Sequence, residues 1–287
     1  MALRINQNLG ALNAHRWLNA SDVGLSKSIE KLSSGFRINS AADDPAGLVI
    51  SENLRSQISG LGQALSNTQS AINMLKTAES ALQEIQNLIR TMRDLALNAA
   101  NTGASDPVAI AADQSQVEQA IASIDRIAEN SQFGNMKLFD TASNGNLDGK
   151  VFQVGANAGQ TVTLDLTTAS LVSDLHTTNL GDGTNAVSSI DVATDATGAL
   201  SVLDGALTQV SSLRVYLGSV QQQNLESNLS SLAIARENVQ ASESAIRDTD
   251  MALEMVSFTK YQILLQAGSA MMTQANQSPQ ILLQMLR

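Results

Sequence analysis

Apolar residues recur near both ends of the chain at steps of three and four. Leu3, Leu9, Leu12, Leu18, Leu25, Ile29 and Leu32 keep roughly helical intervals. So do Met251, Met255, Phe258, Tyr261, Leu264, Leu265, Met271 and Met272, and the chain closes on Ile281-Leu282-Leu283 and Met285-Leu286. Such spacing paints one face of a 3.6-residue helix. Longer seams lie between these arms. Leu75, Ala78, Leu82, Ile85, Ile89, Met92, Ala96 and Ala99 alternate strictly between three and four, the heptad rule of helices packed side by side. Val117, Ile121, Ile124 and Ala128 make a shorter seam. Leu203, Leu207, Val210, Leu213, Leu217 and Val220 make another, continued less strictly by Leu225, Leu229, Leu232, Val239 and Ile246.

Breaks in the pattern locate the helix ends. Asp44-Pro45 and Asp106-Pro107 each read as an N-cap followed by a first helical residue, because the carboxylate accepts from free N–H groups and proline lacks the one that would go unpaired. Asn101-Thr102-Gly103 is a stop between them. A helix over 45–99 would be about 80 Å long at about 1.5 Å per residue. A kink or restart is expected at Pro279. Residues 134–198 change character, being rich in Gly, Thr, Asn and Asp; "VFQVGANAGQTVTLDL" alternates around a glycine-containing turn and predicts a hairpin. The layout is close to palindromic: helical arm, long helices, β excursion, long helix, helical arm. The fold class expected is mainly α, with long coiled-coil helices from both chain ends and a small β-hairpin region in the middle. The two ends are expected to pair with each other, leaving apolar stripes that call for a partner.

Composition sharpens this picture. The 287 residues are 43% hydrophobic but only 3% aromatic, which suits slim helices better than a thick globular core. The net charge of −10 is uneven: residues 1–42 carry +3 and 251–287 carry +1, so the stretch between holds −14. An acidic middle argues against a nucleic-acid partner. No stretch approaches 18 apolar residues, so no membrane span is expected, and "MALRINQNLGALNAHRWLNA" has no continuous apolar region of the secretory kind.

Catalytic chemistry finds little to draw on. There is no cysteine, and His15 and His176 have no ligands at metal-binding spacing. No phosphate-binding glycine motif is present, and Asp43-Asp44 reads as capping rather than as a pair of acid–base carboxylates. No enzyme activity and no cofactor are expected. Trp17 reads either as part of a packed helix face or as a subunit-contact anchor, the second being preferred for an arm with no core of its own. Met251, Met255, Met271, Met272 and Met285 fit ordinary core or an adaptable contact surface equally well.

Four long stretches carry a family resemblance. "MALRINQNLGALNAHRWL", "SIEKLSSGFRINSAADDPAGLVISENLRSQI", "QSAINMLKTAESALQEIQNLIRTMRDLALNAAN" and the C-terminal "ARENVQASESAIRDTDMALEMVSFTKYQILLQAGSAMMTQANQSPQILLQMLR" resemble bacterial flagellin, and "FQVGANAG" resembles that family's β-hairpin segment. The likeness covers roughly 1–170 and 200–287, in a short form without large outer domains.

The resemblance implies an inner coiled-coil layer from arms 1–40 and 250–287, and a rod-shaped outer domain over 41–249. Asp43, Asp44 and Pro45 would be the spoke where the helix restarts. Polymerisation would fall to Leu9, Leu12, Trp17, Leu25, Phe258, Leu264, Leu265, Met271, Leu282 and Leu286 on the arms. It further implies a secreted subunit of a hollow swimming filament, exported by the flagellar type III route, with other copies of itself, an export chaperone and cap and junction proteins as partners. A hook–filament junction protein is the alternative. Some members are sensed by a Toll-like receptor through a Q-R-x-R-E-L helix motif; here Arg90 and Thr91 stand at its Gln and first Arg, Arg93 and Leu95 match, Asp94 replaces Glu, and Gln116 stands at a helper Glu on the next helix. Weak receptor activation is expected from those departures.

Overall fold

The computed structural model describes residues 8–103, 106–139, 147–166 and 175–285, with side chains to residue 277. The chain divides into two units, Met1–Ile58 with Glu237–Arg287, and Ser59–Arg236.

The first unit is built on helices α1 (Leu9–Ser34) and α6 (Met251–Met285), which pack against each other. Their contacts run antiparallel. Asn8 meets Ala275, Leu18 approaches Gly268, Gly24 approaches Tyr261, and Lys31 reaches Glu254. Half-buried residues repeat along this seam at steps of three and four: Ala11, Ala14, Leu18, Ser21 and Leu25 on α1, and Phe258, Tyr261, Leu265, Gly268 and Met272 on α6. Gly24 is there for closeness, since a Cβ at that position would lie 2.6 Å from the Tyr261 ring. Helix α1 ends because Gly35 turns left-handed, with φ 77°, and returns its N–H to the Lys31 carbonyl at 2.8 Å. At the other end of the pair, α6 runs through Pro279 as a single helical element to Met285 rather than restarting there.

Helix α2 (Pro45–Ala100) starts where the sequence placed it: Asp44 Oδ1 accepts from the Gly47 N–H at 3.0 Å, and Pro45 takes the first helical position. In the second unit its seam from Leu75 to Ala99 is buried, every one of the eight residues exposing 2% or less. Against it lie α3 (Pro107–Asn130), capped by Asp106, and α4 (Ala196–Ser219). Val117, Ile124, Ala128, Leu203, Val210, Leu213 and Leu217 complete that core, with Ile121 and Leu207 packed at its edge.

Two small antiparallel sheets decorate the bundle. Strands β1 (Gln132–Phe133) and β2 (Met136–Lys137) flank a two-residue turn in which Gly134 has φ 63°. Strands β3 (Val151–Gln153) and β4 (Thr161–Thr163) pair as Val151 with Thr163, Phe152 with Val162 and Gln153 with Thr161, which is the hairpin anticipated from the alternation. The turn-rich stretch after residue 175 is not a loose excursion. Leu175, Leu180, Val187, Ile190 and Val192 all enter the core.

Between α4 and α5 (Ser227–Arg247) the helix continues through a π segment, Val220–Glu226. This explains why the seam becomes irregular there. Five α-helical residues at about 100° each would carry Leu225 about 140° past Val220. The wider π turn, with its i→i+5 bonds, returns Leu225 to the core, where it is fully buried.

Candidate functional site

Helices α1 and α6 bury one face of each against the other and leave a second apolar face open. Leu9, Leu12, Val23 and Ile29 on α1 are at least half exposed, and Trp17 is 74% exposed. On α6, Leu253, Val256, Ile263 and Met271 are 59–67% exposed, with Met251, Met255 and Leu264 close to half. The sequence-derived arm residues therefore divide. Leu25, Phe258 and Leu265 are half-buried in the α1–α6 seam, whereas Leu9, Leu12, Trp17, Leu264 and Met271 face outward. The side chains of Leu282 and Leu286 lie outside the described residues. Trp17 is mostly in solvent among the described residues. The methionines split likewise: Met251, Met255 and Met271 are open and Met272 lies in the seam.

The stretch between α1 and α2 is a fixed junction. Asp43 Oδ2 accepts from the Ser40 N–H at 3.0 Å, the Ser40 hydroxyl at 3.0 Å and the Asn39 N–H at 3.3 Å. These donors, the Ser40 backbone first, hold its carboxyl below the usual carboxylate range. Sequence reasoning found Asp43, Asp44 and Pro45 but missed the other half of the junction, which comes from the far end of the chain. The Arg37 N–H donates to the Arg247 carbonyl at 2.6 Å, the Thr249 N–H donates to the Gly35 carbonyl at 2.9 Å, and Phe36 bridges to Asp248. Arg37 Nη2 adds a bond of 2.7 Å to the Ile246 carbonyl.

Arg247 is the centre of this patch. Its guanidinium stacks 4.8 Å above the Phe36 ring, and its Nη1 donates to Glu52 Oε1 at 2.7 Å. That bond is the main reason the Glu52 carboxyl is held below its ordinary value, with Arg55 helping at 2.9 Å. A glycine placed just before "FRINS" and a late Arg-Asp-Thr were the only signals available; nothing in a single sequence says that they meet.

The receptor-like residues lie in the second unit. Thr91, Leu95 and Gln116 line one shallow groove between α2 and α3, together with Leu88, Gln119 and Ser123. Arg90 is exposed. Arg93 is committed elsewhere: its Nε donates to Asp204 on α4 at 2.7 Å, and that carboxylate raises its pKa.

Among the described residues no three His, Asp or Glu side chains are placed to hold a metal ion, and no helix is long and apolar enough to cross a membrane. The exposed apolar rows on α1 and α6 are surfaces suited to another macromolecule.

Comparison with known proteins points the same way. Residues 5–144 match the family described as the bacterial flagellin N-terminal helical region, and residues 200–286 match the bacterial flagellin C-terminal helical region. The chain is 45% identical to a flagellin of Halalkalibacterium halodurans, over 99% of each chain. It is 40% identical to the flagellar filament 33 kDa core protein of Treponema phagedenis, again over 99% of each. A solved Vibrio parahaemolyticus chain described as a flagellar hook-associated protein shares the fold, with a TM-score of 0.53 at 18% identity over 72% of this chain and 100% of that one.

Proposed function

We infer the role of this chain from one premise: it belongs to the bacterial flagellin family. It is a structural subunit that polymerises with its own kind into the flagellar filament, outside the cell, and it is not an enzyme. The junction-protein alternative is not favoured, since the relatives matched end to end are named flagellin or filament core protein.

The finer mechanism rests on one observation. An α1–α6 pair that covers a single face of each helix leaves a row of large apolar side chains in water, with Trp17 at 74% exposure as its extreme. Patches of this kind mark interaction surfaces. Copies meeting through Leu9, Leu12, Trp17, Leu264 and Met271 in a head-to-tail manner would not close into a ring and would extend as an open helix around a channel. The seam residues Leu25, Phe258 and Leu265 serve this indirectly, by holding the two helices together so that the open faces stay aligned. Docking would also bury the open faces of the arms, so assembly firms up an α1–α6 pair that is only partly covered alone, which suits passage through a narrow type III export conduit. Asp43, Asp44 and Pro45 act as the spoke. An export chaperone covers the C-terminal arm before assembly, and cap and junction proteins meet the ends of the polymer.

The groove at Thr91, Leu95 and Gln116 is the candidate receptor contact. Arg90, Thr91 and Gln116 replace the family motif's Gln, Arg and Glu, and Arg93 is already paired with Asp204. This supports weak activation of a host Toll-like receptor.

Deleting residues 1–34, through the end of α1, or everything from Met251 onward tests the assembly reading. The expected product is a soluble, helical chain that no longer polymerises. Filaments of normal length from either truncated chain would overturn the role given to the arms.

A further inference from the structure

Proline has no backbone N–H, so inside a helix the carbonyl four residues earlier loses its donor, and the ring crowds that carbonyl aside. In α6 the proline is Pro279 and the carbonyl belongs to Ala275. That carbonyl is not left bare. Asn8, 267 positions earlier, donates to it from Nδ2 at 2.7 Å. The other end of the same amide is also used: Asn8 Oδ1 accepts from the Ala11 N–H at 3.0 Å and caps α1. The two partners fix the orientation of the amide, because a carbonyl only accepts and a backbone N–H only donates. Both Asn8 and Ala275 are half-buried.

We propose that Asn8 and Pro279 form a register clasp for the helical arms. The proline frees one carbonyl on α6, and the cap residue of α1 takes it. The need for such a device lies in the seam. Its α1 side is Ala11, Ala14, Leu18, Ser21 and Leu25, small and aliphatic side chains at a heptad spacing. Sliding one helix by seven residues would return small and aliphatic side chains to most of the seam, the Gly24–Tyr261 contact excepted, so the repeat leaves the register to a few special contacts. A single polar pair at one fixed place does discriminate. A slipped α1 would leave Asn8 without its acceptor and the Ala275 carbonyl without its donor, and at this half-buried place water replaces the bond only in part. Pro279 is the only proline in α6, so elsewhere in the interior of that helix each carbonyl meets an N–H four residues on. The clasp deepens the assembly reading, because a slipped pair would present a displaced row of apolar side chains to its neighbours. The register itself does not depend on that reading.

A substitution cycle separates the clasp from simple capping. Asn8→Asp keeps the cap acceptor but removes the donor and sets a carboxylate against the Ala275 carbonyl. Pro279→Ala returns an N–H to that carbonyl. Register is read by disulfide trapping in the full chain, which has no cysteine of its own. Leu18 Cβ lies 4.0 Å from a Cβ built on Gly268, a distance suited to a disulfide. Leu18→Cys with Gly268→Cys therefore reports the observed register, and Leu25→Cys with Gly268→Cys reports a slip of one heptad.

With Asn8 intact, the first pair should crosslink and the second should not. N8D should shift the ratio toward the slipped pair by about tenfold, and P279A together with N8D should recover most of that loss. Equal crosslink ratios in all four backgrounds would overturn the clasp, as would an N8D effect of the same size with and without Pro279. Trapping is measured both before and after polymerisation is induced. A chain that shows the cycle but forms no filament would sink the assembly reading and leave the clasp standing.

Discussion

Replacing Gly24 by alanine sets two effects against each other, and the structure decides between them. Inside a helix such as α1, glycine-to-alanine should stabilise by about 1 kcal/mol, since alanine loses less backbone freedom on folding. At Gly24 the added Cβ would lie 2.6, 2.7 and 2.9 Å from three atoms of the Tyr261 ring. Ordinary carbon contacts are at about 3.5–4.0 Å, so the ring or the helix must retreat by about 1 Å along the whole ring edge. Overpacking of this kind costs about 1–3 kcal/mol. The net expectation is a weaker α1–α6 pair by about 1 kcal/mol, roughly a fivefold rise in the concentration needed for polymerisation. Gly62→Ala in α2 and Gly218→Ala in α4 are the controls, because nothing lies within 4 Å of a Cβ at either position. They should raise the melting temperature of the second unit. The reasoning fails if Gly24→Ala polymerises more readily than the parent chain, or if combining it with Tyr261→Ala, which removes the ring, does not relieve its defect.

Acid should loosen the junction in a defined direction. Asp43 and Glu52 both have folded pKa values below their ordinary ones, so they bind protons less readily folded than unfolded. Their contribution is present above the ordinary carboxylate range and is lost as pH falls through it toward the folded values. An acid titration of amide-exchange protection at Arg37 and Thr249 should show this loss, and D43N with E52Q should flatten it; an unchanged titration in the double variant would count against the junction's charge pairing. In a cell reporter of Toll-like receptor activation, this chain should be weaker than a flagellin with an intact Q-R-x-R-E-L motif, and the combination R90Q, T91R, D94E and Q116E should raise its potency. Equal potency before and after would remove the groove from consideration.

How far the sequence carried depended on the range of the interaction. The α2 seam was readable residue by residue because a heptad is a local pattern, and all eight of its positions proved buried. Asp44 and Asp106 were readable as caps because capping is settled within three residues. The β3–β4 hairpin was legible for the same reason. The bonds joining Gly35 and Arg37 to Arg247 and Thr249 were not, since they unite segments more than two hundred positions apart. Pro279 does not restart the helix, and the bond that the Ala275 carbonyl accepts comes from Asn8, at the other end of the chain, where no local pattern could show it. The stretch after residue 175 looked like turns because its five core residues are spaced by loop geometry, not by a helical or strand period.

The π segment at Val220–Glu226 leaves its own mark on what chain lengths the fold can accept. Because it spends five residues where an ordinary turn needs four, the helix carries one spare position between Val220 and Leu225. Losing that position would tighten the coil to regular α geometry and still seat the leucine. A single-codon deletion, ruinous at most points of a long helix because it rotates everything beyond it, would be absorbed here, so one amino acid could be shed at this point with the same interior still buried.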